Sequence, residues 1–229
     1  MPDGTTIRLF VDDDPVTCET TEVRQFDRAL DMRRGVLDRS VVYQLPDGRR
    51  FRVDTRRFVS LAHRHMACLR YEVTALDAPG RLMISSELLT PRATADGPAL
   101  DPRQSRALTE ATLEPGLERV DNVRVIRTYR TARSELVVAV GMDHEFDEQA
   151  VTHVRTKVDG DRADVAFEAY ARPGQTVTLT KWLAYHYGAE NAAHLADRAG
   201  GDVVPSPRHR LCGRARRPRA CGHPVLAAQ

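Results

Sequence analysis

The chain has 229 residues, of which 41% are apolar and 29% are charged, and its formal net charge at pH 7 is +2. This composition excludes a wholly disordered chain, and no window contains the roughly 18 consecutive apolar residues that a membrane-spanning helix requires. The first residues lack the basic and apolar regions of a secretory signal, so we expect a cytoplasmic protein with no membrane partner.

The first clear elements form a hairpin within residues 36–53. Apolar side chains alternate at Val41, Tyr43 and Leu45, and the alternation resumes after the segment Pro46-Asp47-Gly48. Proline presets φ for the first turn position, and glycine tolerates a positive φ, so this segment predicts a tight turn between two strands.

A second alternating run covers residues 57–75, where apolar side chains occupy odd positions such as Val59 and Val73. This run predicts one long, bent strand. His63 and His65 also fall at odd positions, so we expect them side by side on the apolar face. They could bind a metal or line a ligand cleft, but no third or fourth metal ligand is evident, and we interpret them as structural histidines with hydrogen-bond partners.

The rest of the chain continues as short strands joined by turns. Further strands are predicted at 82–89, 120–131, 134–142, 150–158, 165–169 and 177–183, with turns at 77–80, 159–161 and 172–175, and the polar segment 91–102 is predicted to be a surface loop. Helical spacing is found only at 189–199. This order predicts an all-β fold, an antiparallel sandwich or barrel, with a short C-terminal helix.

Segment 200–229 has no apolar period of helix or strand, and it concentrates basic residues. Its arginines are Arg208, Arg210, Arg214, Arg216, Arg217 and Arg219. Because the segment offers no aromatic side chain on which a base could stack, we predict a disordered basic tail and no nucleic-acid partner.

Segment 142–148 carries the densest group of ionisable side chains, with a histidine among four carboxylates. These are Asp143, His144, Glu145, Asp147 and Glu148. Paired carboxylates can act as acid and base in glycoside hydrolysis, but their separation in space decides this. A solvated turn between strands also collects acidic residues, and we favour that interpretation.

The four cysteines form two unlike pairs. Cys18 and Cys68 lie in the patterned part of the chain and are predicted to be small buried or partly buried thiols. In the tail, four residues could in principle supply zinc ligands: His209, Cys212, Cys221 and His223. Their spacing fits no standard zinc motif, so we predict no metal site.

Several aromatic residues could stack on sugar rings. They are Tyr129, Tyr170, Trp182, Tyr185 and Tyr187. Core packing is the favoured use of these side chains. The chain contains no phosphate-binding loop, nucleophile elbow, dinucleotide fingerprint or zinc-protease helix, so we assign no catalytic, cofactor-binding or metal-binding residue and expect no cofactor.

Three phrases in order carry a family resemblance: residues 29–37 (ALDMRRGVL), 56–76 (RRFVSLAHRHMACLRYEVTAL) and 181–187 (KWLAYHY). Together they resemble the N-terminal domain of glycoside hydrolase family 65, which includes maltose, trehalose and kojibiose phosphorylases and related hydrolases. The resemblance covers about residues 7–199.

The resemblance implies an N-terminal β-sandwich that precedes linker helices, a large (α/α)6 barrel and a small C-terminal sheet domain. In the family, phosphate attacks the anomeric carbon while a glutamic acid protonates the leaving oxygen, and the groups responsible belong to the barrel. No position of this sequence inherits them. We therefore expect an incomplete sandwich at 1–187, whose family-like opening is missing, the start of a linker helix at 188–199, and a disordered tail at 200–229 that a frameshift would explain.

The resulting functional hypothesis is an N-terminal sandwich of an α-glucoside phosphorylase or hydrolase that lacks its catalytic barrel. Its expected partners are α-glucoside sugars, a second copy of the chain, or a separate barrel-domain chain. Two alternatives are a stand-alone carbohydrate-binding module and a non-functional gene remnant.

Overall fold

The computed structural model describes residues 1–90 and 113–203, which form thirteen β-strands and one α-helix. In chain order the strands are β1 (Ile7–Val11), β2 (Asp14–Pro15), β3 (Glu22–Asp31), β4 (Val36–Gln44), β5 (Arg50–Val59), β6 (Met66–Ala75), β7 (Gly80–Leu89), β8 (Leu113–Asp121), β9 (Arg124–Thr131), β10 (Val137–Phe146), β11 (Val151–Asp159), β12 (Arg162–Ala171) and β13 (Thr176–Gly188). The helix, α1, spans Ala192–Val203. The predicted all-β antiparallel sandwich is confirmed.

The strands form two sheets of unequal size. The small sheet has the order β11-β12-β7-β1-β2, and the large sheet has the order β3-β4-β5-β6-β13-β10-β9-β8. Since five strands pack on eight, part of the inner face of the large sheet extends beyond the small sheet.

Side chains that alternate inward from both sheets form the core. Phe51 on β5 and Leu179 and Leu183 on β13 meet Ile84 on β7 and Phe167 on β12, and each is at most 1% exposed. Burial of an apolar side chain of this size stabilises the fold by about 1.5–3 kcal/mol. The main hydrophobic core therefore lies between the two sheets.

The predicted turn chemistry is confirmed at two hairpins. Gly48 adopts φ of 91° between β4 and β5, and Gly174 adopts φ of 78° between β12 and β13. Backbone with positive φ strains any residue with a Cβ atom, so glycine fixes both turns and with them the register of the neighbouring strands.

The predicted single strand over residues 57–75 is wrong, because the segment contains the end of β5, a connection and the whole of β6. The backbone N–H of Ser60 donates to the carbonyl of Met66 at 3.0 Å, and that of Met66 donates to the carbonyl of His63 at 2.9 Å. These bonds reverse the chain direction. Apolar alternation continues through Leu61, which is 91% exposed, and this is why the sequence pattern resembles an uninterrupted strand.

The helix lies further along the chain than the segment 189–199 predicts. Asn191 fixes its start, because the Asn191 side chain accepts a hydrogen bond from the backbone N–H of Ala193 at 2.8 Å. The helix continues through Gly200, whose missing Cβ would lie 2.8 Å from Ile126 on β9. The predicted disordered tail is therefore wrong for residues 200–203. The remainder of the tail, and the predicted loop 91–102, lie outside the described residues.

Candidate functional site

A lysine occupies an inward position of β13, between the two sheets. Lys181 is fully buried, and its ammonium donates to the backbone carbonyls of Glu87 at 2.7 Å and of Thr6 at 3.5 Å. Burial lowers the pKa of Lys181 to about 7, although the carboxylates of Asp3 and Glu87 act in the opposite direction. Its donors are directed at backbone oxygens of the small sheet, so Lys181 connects the two layers.

A serine and a histidine form a second buried polar contact in the core. The Ser86 hydroxyl lies 2.7 Å from His144 Nε2, and His144 Nδ1 lies 2.8 Å from the carbonyl oxygen of Val123. Because a carbonyl only accepts, Nδ1 carries the proton and Nε2 accepts from the serine. Burial, with repulsion from Lys181, lowers the pKa of His144 to about 3. The pair has the geometry of a nucleophile and its base, but both side chains are buried between the two sheets.

The solvated-turn interpretation of residues 142–148 is wrong for its first half. Asp143 and His144 belong to β10 and are only 4% and 5% exposed. They point to opposite faces of the sheet, and Asp143 accepts hydrogen bonds from the Arg124 guanidinium at 2.9 Å on the outer face. Only the end of the segment, with Asp147 and Glu148, lies in an exposed turn. The four carboxylates therefore form no shared acid–base site.

The prediction that His63 and His65 share a strand face is also wrong, since both lie in the β5–β6 connection. His65 Nδ1 lies 3.0 Å from the carbonyl oxygen of Tyr185. Its ring stacks on His186 with 4.2 Å between ring centroids, and His186 Nε2 lies 2.8 Å from an Asp202 carboxylate oxygen. Burial lowers the pKa of His186. These contacts attach the connection to β13 and to the end of α1.

The aromatic candidates divide into buried and exposed side chains. Tyr129 and Trp182 are buried, which confirms core packing for these two, whereas Tyr170 and Tyr187 are 52% and 73% exposed. The Tyr185 hydroxyl accepts a backbone N–H of the N-terminal segment at 3.1 Å. Tyr185 and Tyr187 therefore do not form a shared stacking platform.

The cysteines and potential metal ligands supply no cluster. Cys68 is buried as predicted, but Cys18 is exposed, which corrects the prediction for that thiol. Within residues 1–90 and 113–203, no three or more histidine, cysteine or acidic side chains come close enough to hold a metal ion. His209, Cys212, Cys221 and His223 lie outside the described residues.

The inner face of β3, β4 and β5 forms the most unusual surface of the described structure, and we call it the overhang. Its members are Phe26, Arg28, Leu30, Leu37, Arg39, Arg57 and Val59, which continue the inward rows of the core beyond the small sheet. Phe26, Leu30 and Val59 are 56%, 59% and 64% exposed, whereas Val41 and Val53, which continue the row of Phe26 towards the centre of the sheet, are buried. The core-facing pattern of the sequence thus extends onto an open surface.

Two of the three phrases that carry the family resemblance meet at the overhang. Residues 29–37 contain the β3–β4 turn, and residues 56–62 end β5 beside it, with Val36 opposite Phe58. The overhang arginines were not singled out by sequence reasoning. Their signal was available, because Arg39 and Arg57 interrupt the apolar phase of β4 and β5.

No helix among the described residues is long and apolar enough to cross a membrane.

Comparison with known proteins gives a consistent family assignment. The model of the glycosyl hydrolase family 65 N-terminal domain matches residues 1–206. An uncharacterized glycosyl hydrolase of Mycobacterium tuberculosis is 33% identical over 206 residues, which cover 88% of this chain and 25% of that protein. The α,α-trehalose phosphorylase of Thermoanaerobacter brockii is 22% identical over 186 residues, which cover 81% of this chain and 24% of the enzyme.

A solved structure supports the same fold. A protein assigned as a kojibiose phosphorylase from the human microbiome superposes with a TM-score of 0.72 at 12% identity, over 88% of this chain and 25% of that protein. The chain thus spans about a quarter of the length of the relatives it matches. With its two-sheet fold and the family match over residues 1–206, this chain belongs to glycosyl hydrolase family 65 and corresponds to its N-terminal domain.

Proposed function

We propose that this chain is the non-catalytic sandwich domain of an α-glucoside phosphorylase or hydrolase and works by packing against a catalytic domain. The chemistry of the whole enzyme is then supplied by that catalytic domain, and the sandwich supplies a rigid surface. The related trehalose and kojibiose phosphorylases suggest an α-linked glucose disaccharide as substrate.

The closed interior supports a non-catalytic role. The groups best suited to chemistry are Lys181, His144 and Ser86, and each of them is at most 5% exposed and has a hydrogen-bond partner inside the sandwich. General acid–base and nucleophilic catalysis both need a group that reaches the substrate. These side chains stabilise the fold instead.

The overhang supports a packing role, and it is the observation that carries the proposal. Three large apolar side chains, Phe26, Leu30 and Val59, are more than half exposed on one face. Met32 and Leu61 extend this surface from the adjacent connections and are 81% and 91% exposed. Several large apolar side chains exposed together in one region mark interaction sites in soluble proteins.

Reconstitution of activity tests the proposal. The chain would be mixed with the part of the M. tuberculosis relative that lies beyond its matched quarter, and glucose release from trehalose, maltose and kojibiose would be measured with and without phosphate. We expect the chain alone to be inactive and the mixture to exceed the activity of the catalytic part alone. Dependence on phosphate would identify phosphorolysis.

A double variant at the overhang, Leu30→Asp with Val59→Asp, should abolish the gain in activity because it places charge in an apolar contact. Tyr170→Asp is the matched control, since Tyr170 is similarly exposed but lies on β12 of the small sheet. Turnover by the chain alone, or a mixture no more active than the catalytic part, would contradict the proposal.

A further inference from the structure

Three arginines lie close together on the overhang. Arg28 on β3 is directly opposite Arg39 on β4. Arg57 on β5 is opposite Leu37, which precedes Arg39 by two residues on the same face of β4. Side chains directly opposite each other in an antiparallel pair have Cβ atoms about 5 Å apart, and like charges in that position destabilise a sheet. The register therefore brings cations together on neighbouring strands.

These arginines have no carboxylate partner among the described residues. Arg39 donates to the Tyr43 hydroxyl at 3.0 Å and lies over the Phe26 ring at 5.6 Å, while its buried Nε has no hydrogen-bond partner. Within residues 1–90 and 113–203, neither Arg28 nor Arg57 forms an ion pair or a hydrogen bond through its side chain.

The acidic group that acts on this cluster is already engaged. Asp3 attracts Arg57, but its carboxylate accepts hydrogen bonds from the backbone N–H and hydroxyl of Thr5 and from the hydroxyl of Thr6, at 2.7 to 3.1 Å. Burial, together with repulsion from Arg39 and Arg28, lowers the pKa of Arg57. The cluster thus carries more positive charge than residues 1–90 and 113–203 neutralise.

The opposite face of the same sheet shows a different arrangement. There Arg56 pairs with Asp38 at 2.6 Å, and Arg70 pairs with Glu72 at 3.0 Å. The outer face of the sheet therefore supplies carboxylate partners for its arginines, whereas the described residues supply none for those on the overhang. An unmatched charge cluster that the fold retains at a cost is typical of a binding site.

We propose that Arg28, Arg39 and Arg57 bind carboxylates on an acidic, apolar-flanked surface of the catalytic domain. This inference rests on the proposed function, since it names the chemistry of the partner that the overhang contacts. Guanidinium groups bind carboxylates through paired, charge-assisted hydrogen bonds, so an acidic surface matches the chemistry of this cluster.

A protein surface fits the overhang better than a small anion does. The exposed side chains of Phe26, Leu30 and Val59 flank the arginines, and an inorganic anion would leave them in water. Arginine and aromatic side chains are enriched at the centres of protein interfaces. The relatives carry about three quarters of their length beyond the region that this chain matches, which gives a polypeptide of the required kind.

Binding measurements with charge-neutral variants test the inference. The affinity of the chain for the remaining part of the M. tuberculosis relative would be measured by calorimetry for the natural sequence and for Arg28→Gln with Arg57→Gln. We expect the double variant to bind on the order of 30-fold more weakly, because each unpaired carboxylate on the partner loses its cation. The control, Arg155→Gln with Arg172→Gln, removes two exposed arginines away from the overhang and should bind normally.

Failure of the inference can be distinguished from failure of the proposed function. Absence of binding by the natural chain would contradict the proposed function. Binding that the overhang variants leave unchanged would contradict only the role of the arginines, since docking would then depend on the apolar side chains.

A stability measurement on the chain alone provides a second test. Arg57→Gln removes a half-buried cation that Arg28 and Arg39 repel, so its melting temperature should rise by about 1–3 °C. Arg56→Gln, which breaks the ion pair with Asp38 on the outer face, should not produce a rise. A melting temperature of Arg57→Gln that is unchanged or lower would contradict the inference.

Discussion

On the inner face of the large sheet, polar side chains are paired differently in the part that the small sheet covers and in the part that it leaves uncovered. Under the small sheet, the inner face of the large sheet holds Lys181 and His144, and both have hydrogen-bond partners across the core. On the overhang the same face holds Arg28 and Arg57, which have neither ion pairs nor side-chain hydrogen bonds within the described residues. One face of the large sheet thus carries hydrogen-bonded polar side chains where the small sheet covers it. On the overhang it carries arginines for which the described residues supply no carboxylate partner.

This difference bears on where the domain is expected to bind a partner. Lys181, His144 and Ser86 have hydrogen-bond partners in the interior, where an unpaired neutral polar group costs about 1–3 kcal/mol. Solvent relaxes that requirement on the overhang, so unmatched groups can remain there for a partner. On the proposed function, the unusual residues of the interior contribute to stability, and those of the overhang contribute to binding.

The largest expected effect is on the free energy of unfolding, and it distinguishes two phenylalanines on the inner face of the large sheet. Phe51→Ala should reduce the free energy of unfolding by about 3–5 kcal/mol, because Phe51 is fully buried. Phe26→Ala on the overhang should change it by less than about 0.5 kcal/mol. Urea unfolding measures both. A large decrease in the free energy of unfolding for Phe26→Ala would mean that the overhang belongs to the core, which would contradict the difference between the two regions.

The helix that covers the outer face provides the next effect. A Cβ at Gly141 would lie 3.1 Å from the Ala199 carbonyl oxygen, so Gly141→Val should destabilise the chain by about 1–3 kcal/mol through overpacking. Gly201→Ala is the control, since nothing lies within 4 Å of its Cβ position and alanine favours helix by up to about 1 kcal/mol. Thermal unfolding that shows no stabilisation by Gly201→Ala would contradict a helix that extends to Val203.

The buried lysine predicts a specific pH dependence of stability. The pKa of Lys181 is about 7 in the folded chain, against 10.5 for the free side chain, so between these values the unfolded chain binds more protons. Its contribution to the free energy of unfolding therefore rises with pH across this window, by about 1 kcal/mol per pH unit. Lys181→Met should remove the rise, whereas Lys157→Met, at an exposed position on β11, should retain it. Urea unfolding at several pH values from 6 to 10 measures the difference, and equal slopes for the three proteins would contradict a buried, uncharged Lys181.

The smallest expected effect concerns sugars. Because the exposed side chains of Tyr170 and Tyr187 lie on different sheets and Tyr185 is held by the N-terminal segment, the isolated chain should give no saturable heat with maltose, trehalose or kojibiose in calorimetric titration. Saturable binding that Tyr187→Ala abolishes would favour a carbohydrate-binding module and would move the functional surface away from the overhang.

Local chemistry made much of the fold predictable. Gly48 and Gly174 mark turns because their backbone needs positive φ, and alternation then assigns the adjoining strands. The same alternation failed at Leu61, where apolar residues continue through a connection. A second local signal failed at Gly200. Glycine there suggests the end of a helix, but the helix continues, because the absence of a Cβ atom allows it to pack closely on Ile126. In both cases long-range contacts overrode the local signal.

The candidate site was less predictable than the fold. The overhang depends on which strands lie opposite one another and on how far the small sheet extends, and single-strand patterns contain neither fact. Asp143 and His144 were also mispredicted. Their polar sequence suggested a solvated turn, but both residues lie in β10 and both side chains are buried. The sequence did contain one signal for the overhang: Arg39 and Arg57 are charged residues at positions where the alternation of β4 and β5 predicts apolar side chains.

Hydrogen–deuterium exchange of the chain with and without the catalytic part of the M. tuberculosis relative tests the central claim most directly. We expect slower exchange on addition of the partner in β3, β4 and the end of β5, which carry the overhang, and unchanged exchange in β11 at the edge of the small sheet. Protection confined to β11 and β12, or no protection at all, would contradict the claim that the overhang is the functional surface.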